Sequence, residues 1–362
     1  MVSSTQLFFY LTTYRGVQMY DILTDLERWF DQNQPVGLAS VISTWGSAPR
    51  RVGAMMAFTT QAEISGSVSG GCVEGAVVEA GIRAIQTGRP ELLQFGVADE
   101  TAYSVGLACG GNIEVFVRRL EPGLFQAVRK ELQLRKPVAI VSVISGPESL
   151  IGCEILVTSA GKSYGSLGEG MDETAIQIAR QSIENEQSQS ISPDWQGHET
   201  IRLFVNVIAP LPELIIVGGV HIAITLSTLA KSLGYRTVVI DPRRVFSSPD
   251  RFPHVDQLIQ AWPDEAFQQV TLTRNSCVAV LTHDPKIDDP ALKVVLNSPA
   301  FYVGVLGSRK THAKRRQRLL AEGFSEDQLN RLHAPIGLDL GGESPEETAL
   351  SILAEIVAVR RG

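Results

Sequence analysis

The sequence predicts an α/β protein of two domains, an N-terminal mixed α/β domain followed by a C-terminal Rossmann-like parallel-sheet domain. Three observations carry this. Residues 214–241 run as apolar strand, glycine turn, helix, second strand and terminal acid, the order of a dinucleotide-binding half-unit. Downstream of that unit, short β-rich runs alternate with helical patterns, as in a parallel sheet. The length of 362 residues exceeds one ordinary domain.

In chain order, residues 1–18 read as a flexible extension, because helical periodicity begins only near Met19. Ile22, Leu23, Leu26, Trp29 and Phe30 then recur at helical spacing. Val36–Trp45 is an apolar strand that ends in the turn-rich Gly46-Ser47-Ala48-Pro49. Met55–Thr59 and Ile64–Val68 are short strands, and a glycine cluster leads into a helix at Cys72–Gln86. Strands follow at Leu92–Gly96, Ile113–Arg118, Val138–Ile144 and Glu154–Thr158, with helices at Phe125–Leu134 and Thr174–Glu184. Residues 184–199 are polar without periodicity and are expected to form a loop before the strand Ile201–Ile208.

Ala209-Pro210-Leu211-Pro212 is a stiff connection, so the domains are placed at 19–208 and 209–362. The second carries strands at Leu214–Val217, Thr237–Ile240, Gln257–Gln260, Cys277–Thr282 and Tyr302–Leu306. Its last helix opens on the capping box Ser344-Pro345-Glu346-Glu347 and continues apolar through Ala349, Ile352, Leu353 and Ile356.

Bulk properties narrow the function. A net charge of −7 excludes a broad basic field, so neither nucleic acid nor a membrane surface is an expected partner. Cys72, Cys109, Cys153 and Cys277 are too few and too scattered for a disulfide scaffold, and none forms a C-x-x-C pair. The apolar run Leu7–Leu11 lacks a basic start and is too short to span a bilayer, which predicts a cytoplasmic protein.

Candidate chemistry lies in two places. In the C-terminal half, the turn supplies Gly218, Gly219, Val220, His221, Ile222 and Ala223 where a dinucleotide site has G-x-G-x-x-G/A. Val220 stands in place of the glycine that lets a pyrophosphate touch backbone, so NAD(P) binding is not expected. Asp241, 23 residues after Gly218, stands where an acid meets a ribose hydroxyl; alternatively it opens the turn Asp-Pro-Arg-Arg. His283 and the segment Gly307-Ser308-Arg309-Lys310 follow other strand ends, and a helix start with two cations suits a phosphate. Solvated helix-start cations and a turn histidine are the plainer alternative.

In the N-terminal half, Gly70-Gly71-Cys72-Val73-Glu74 sets a thiol at a predicted helix start, where the helix dipole favours thiolate. Cys109-Gly110-Gly111 sets a second thiol in a glycine turn. Small buried hydrophobes are the ordinary fate of free cysteines, so both readings stay open.

These segments resemble the xanthine dehydrogenase accessory factors, the XdhC/CoxI family, from about residue 20 to the end. The matching stretches are Gly66–Glu74, Ala108–Gly111, Asp241-Pro242-Arg243, Leu306–Lys310 and His333–Leu340. The sequence departs from the family pattern at Gly218-Gly219-Val220-His221, where Gly-Ala-Gly-His is usual, and at Pro285, where a second histidine is expected. The resemblance implies a chaperone that binds molybdenum cofactor (molybdopterin). It would protect the cofactor while a cysteine desulfurase supplies sulfur, and deliver it to a molybdenum hydroxylase such as xanthine dehydrogenase. It also makes Cys72 and Cys109 candidates for holding the metal, in a homodimer. An NAD(P)-dependent oxidoreductase and a ligand-free interaction scaffold are the alternatives.

Overall fold

A computed structural model describes residues 19–46, 50–96, 111–168, 170–193 and 201–361. Long-range contacts divide the chain into two units, one ending at Pro210 and the other beginning at Leu211.

The first unit contains, in chain order, α1 (Met19–Asp31), β1 (Val36–Trp45), β2 (Met55–Thr59), β3 (Ile64–Gly66), α2 (Glu74–Thr87), β4 (Glu91–Phe95) and β5 (Asn112–Arg119). It continues with α3 (Pro122–Gln133), β6 (Val138–Ser145), β7 (Glu154–Thr158), β8 (Ser163–Gly165), α4 (Met171–Glu184), β9 (Gln189–Ile191) and β10 (Arg202–Ile208). The strands form two antiparallel sheets, ordered β3-β2-β1-β5-β4 and β8-β7-β6-β10-β9. Central strands β1 and β6 are mostly apolar because both of their faces are buried along most of their length. The sheets meet through Ile42, Phe116, Ile144 and Phe204. The apolar stripes of α1 and α3 cover the Leu38, Met55 and Ile140 faces, while α2 and α4 each close another face. Helix α2 lies very close to its sheet. A Cβ on Gly81 would fall 2.0 Å from the Phe58 ring, and one on Gly37 would fall 2.1 Å from it.

The second unit contains β11 (Glu213–Val217), α5 (His221–Ser232), β12 (Arg236–Ile240), β13 (Gln257–Ile259), α6 (Pro263–Ala266), β14 (Ser276–Val280) and α7 (Pro285–Val295). It ends with β15 (Tyr302–Val305), α8 (Arg309–Ala321), α9 (Glu326–Asn330), β16 (Leu332–His333) and α10 (Pro345–Arg361). Its sheet is wholly parallel, in the order β13-β12-β11-β14-β15-β16. That is the doubly wound Rossmann order, with its reversal between β11 and β14. Alternate residues of each strand bury opposite faces. Ile215, Val217, Val278 and Val280 face α7, and Leu214, Ile216, Cys277 and Ala279 face α5 and α10. The predicted capping box forms at α10: Ser344 Oγ accepts the Glu347 amide, and the Glu347 carboxylate accepts the Ser344 amide.

Two local expectations are corrected. The polar stretch read as a loop after residue 184 contains β9, which pairs antiparallel with β10. An edge strand needs only backbone partners, so it carries no apolar alternation to read. The helix expected from Cys72 begins at Glu74 instead, with Val73 at its N-cap. Cys72 therefore precedes the helix rather than opening it, and the side chain of Glu74 explains why.

Candidate functional site

The loop between β3 and α2 is folded around the carboxylate of Glu74. That group accepts backbone N–H groups from Val68 (3.3 Å), Ser69 (2.9 Å), Gly70 (3.0 Å), Gly71 (2.9 Å) and Val73 (3.2 Å). The hydroxyls of Ser67 and Ser69 donate to it as well, at 2.8 and 2.5 Å. Convergent amides of this kind make an anion-binding nest, and here the anion is the chain's own. Burial pushes the Glu74 pKa up, but the bonds from Ser69, Ser67 and the loop amides outweigh it and hold the group at about 2. The positive φ angles of Gly70 (+86°) and Gly71 (+119°) turn the amides inward. Glu74, Gly70 and Gly71, three candidate ligands, thus spend their polar groups inside the loop.

What the loop presents outward is Gly70, Gly71 and the half-buried free thiol of Cys72. Among the described residues, Gly70 and Cys72 aside, no atom lies within 4 Å of where a Cβ on Gly71 would be. The Cys72 amide is tied to Ser69 Oγ at 3.0 Å, which fixes the backbone that carries the sulfur.

Strand directions collect the neighbouring segments at the same end of the sheet. The end of β1, Trp45, opposes Asn112 at the start of β5, and Phe95 at the end of β4 opposes Ile113. β3 exits at Gly66, opposite Met56, toward that same end. Gly111 directly precedes β5 there, while Cys109 and Gly110 lie outside the described residues. Among the described residues no group of three or more His, Cys, Asp and Glu is gathered for a metal ion. Cys277 is fully buried in the core of the other unit, where desolvation drives its thiol pKa far up. Cys153 is half-buried.

In the second unit, Gly218, Gly219 and Asp241 come together at the ends of β11 and β12. Asp241 is completely buried and accepts the Gly219 amide at 2.8 Å. The Arg243 guanidinium closes on the same carboxylate at 2.7 and 2.9 Å, and in turn stacks on Phe246 at 4.2 Å. Arg251 donates to the Gly219 carbonyl at 2.9 Å, and a Cβ on Gly219 would strike the Phe246 carbonyl oxygen at 2.1 Å. Both backbone groups of Gly219 are thus used by the segment that follows β12. Asp241 also accepts the Arg243 amide at 2.9 Å, within the segment Asp-Pro-Arg-Arg that it opens. Val220 packs part of its side chain against the core cluster beneath α5. His221 is exposed, with its Nε2 3.5 Å from the Glu346 carboxylate.

A second row crosses the ends of β11, β14 and β15. A Cβ on Gly218 would lie 2.5 Å from the Thr282 methyl, so those two strand ends abut. Thr282 Oγ1 donates to Asp288 Oδ1 at 2.5 Å, and Asp288 Oδ2 accepts Arg315 Nη2 at 3.1 Å. Arg315 Nη2 also donates to the Leu306 carbonyl at 3.3 Å. His283 is exposed, in the left-handed region at φ +62°. Gly307 forms the turn into α8, Ser308 caps that helix by accepting the Thr311 amide, and Arg309 and Lys310 are exposed. Burial and the charges of Arg315 and Arg316 push the His312 pKa down. Sequence reasoning missed Asp288 and Arg315. Their signal was faint: within a helix rich in basic residues, position 315 shares a stripe with the buried Leu319.

A sheet in Rossmann order, following a unit of two antiparallel sheets with a glycine–cysteine loop, defines a two-unit α/β protein. Comparison supplies the family. Residues 214–356 match the XdhC Rossmann domain, and residues 29–96 match the XdhC and CoxI family. The chain belongs to that family. It is 28% identical to a probable xanthine dehydrogenase subunit from Bacillus subtilis, over 93% of this chain and 97% of that protein. It is 25% identical to the molybdenum cofactor insertion chaperone PaoD of Escherichia coli, over 89% of this chain and 83% of that one. A crystal structure described as a xanthine dehydrogenase from Bacillus halodurans superposes with a TM-score of 0.74 at 25% identity, over 94% of this chain and 95% of that chain. No helix among the described residues is long and apolar enough to cross a membrane.

Proposed function

We propose that this protein is a chaperone that binds molybdenum cofactor, protects it, and delivers the sulfurated form to a xanthine dehydrogenase-type molybdenum hydroxylase. The observation that carries the reading is the likeness to a molybdenum cofactor insertion chaperone along 89% of the chain. The local chemistry agrees with it. A thiolate is a soft ligand suited to a metal–sulfur centre, and Cys72 stands on a tightly bonded loop beside Gly71. Cys109 is the proposed second thiol and lies outside the described residues. The cofactor is cargo here: held, shielded and passed on. A cysteine desulfurase supplying the sulfur and a homodimeric, cytoplasmic chaperone complete the proposal.

Cofactor retention tests it. Protein purified from cells that make molybdenum cofactor should carry molybdenum and yield the fluorescent pterin on oxidation, and should activate an apo-hydroxylase. Cys72→Ala and Cys109→Ala should each lower retention while the protein stays folded. A purified protein that holds no pterin under these conditions overturns the reading, and one that holds a nicotinamide dinucleotide points to an oxidoreductase.

A further inference from the structure

Arg315 is 2% exposed, yet among the described residues its Nε and Nη1 have no hydrogen-bond acceptor. Only Nη2 is engaged, by Asp288 and the Leu306 carbonyl. Donors of a buried cation left unmatched are unfavourable unless an acceptor meets them. A helical side chain leans toward the N-terminus of its own helix. Arg315 accordingly reaches back up α8, and its Nη1 lies 3.7 Å from the point a Cβ on Gly307 would occupy.

The cation is therefore aimed at the turn that starts α8. The first amides of that 13-residue helix, those of Arg309 and Lys310, have no partner within the helix and carry the positive end of its dipole. Gly307, at φ +146°, adds no side chain of its own there, and the point a Cβ would take lies 3.4 Å from the Thr311 side chain as well. Arg309 and Lys310 stand exposed at the rim. An anion seated at this turn meets amides in front, two mobile cations at the rim and a fixed guanidinium behind. Two acids at the start of α7 are already engaged, Asp288 by Thr282 and Arg315 and Asp284 by the Lys286 amide.

The geometry points to a phosphate-binding subsite at Gly307–Lys310, with Arg315 as its buried wall, built for the terminal phosphate of a monoester. A monoester dianion offers three free oxygens to donors converging from three sides, whereas a carboxylate offers two and a diester fewer unesterified ones. The Gly218 turn offers no such donors at Gly219, whose backbone groups are occupied by Asp241 and Arg251. Nothing in this subsite depends on the cofactor reading, because inorganic phosphate is a sufficient probe.

Titration of the full-length protein with inorganic phosphate at low ionic strength, followed by calorimetry and by ³¹P line broadening, tests it. One saturable site per chain is expected, with sulfate competing and chloride and acetate competing poorly. Arg309→Ala with Lys310→Ala should weaken binding by about tenfold or more through loss of two charge-assisted contacts. Arg315→Lys keeps a cation for Asp288 but removes the Nε and Nη1 donors, and should weaken binding several-fold. The exposed double variant decides the matter should Arg315→Lys fail to fold. Absence of saturable binding, chloride competing as well as sulfate, or unchanged affinity in the double variant overturns the proposal. Cofactor retention is measured separately, so either result can fail alone.

Discussion

Asp241 accepts the amide proton of Gly219 at 2.8 Å from a fully buried carboxylate. The acid at the end of the second strand thus fastens the glycine turn of the first, and Arg243 closes on it from the solvent side. The dinucleotide-like turn is held from within.

Asp241→Ala should therefore destabilise the protein by about 2–3 kcal/mol, since a buried amide and a guanidinium lose a charged acceptor. Urea denaturation reads this directly. A change below about 0.5 kcal/mol, the range of ordinary surface substitutions, would show that the clasp contributes little.

Nicotinamide dinucleotides should bind negligibly, in the unmodified protein and in Val220→Gly alike. Removing the Val220 side chain leaves Phe246 against Gly219 and leaves the Gly219 carbonyl bonded to Arg251. Calorimetric titration with NAD and NADP checks this, and micromolar affinity in either protein would defeat the steric argument.

Glu74 links the cysteine loop to pH. Its folded pKa of about 2 lies below the ordinary 4.5 of a free glutamate, so its contribution is fully present above pH 4.5 and is lost as pH falls toward about 2. Glu74→Gln, which keeps the shape but removes the charge, should lower stability by about 1–2 kcal/mol at pH 7, a range already reduced for solvent screening of a half-exposed group. The gap between the two proteins should close across the pH 4.5 to 2 window, as followed by denaturant midpoints. A gap independent of pH would mean that the carboxylate's charge is not what holds the nest.

Thiol labelling of the native protein should separate the cysteines. Cys72 and Cys153, both half-buried, should react, whereas Cys277 should react only on unfolding because it is wholly enclosed and its thiol resists ionisation. Mass spectrometry of digested, labelled protein assigns each site. Under the chaperone reading, added cofactor protects Cys72 and leaves Cys153 reactive.

The sequence by itself determined the alternation of strands and helices after Leu211, the glycine turn at Gly218 and the capping box at Ser344, because each is written in residues close along the chain. Period, turn chemistry and caps are local properties. It also marked Gly70-Gly71-Cys72 and Gly307–Lys310 as unusual. What it could not decide is which partner each polar group takes. Glu74 stood with Cys72 in a candidate segment, and the fold of Gly66–Val73 turns five amides onto it. Asp241 read equally as ribose ligand or turn residue until Gly219, 22 positions away, was brought against it. Arg315 looked like one more cation on a basic helix. Only packing of α8 against α7 removed it from water, paired it with Asp288, 27 residues distant, and, among the described residues, left two of its nitrogens unmatched beneath Gly307. Burial and long-range pairing are set by tertiary contact, and those contacts decide whether a charge is solvated, structural or available to a ligand.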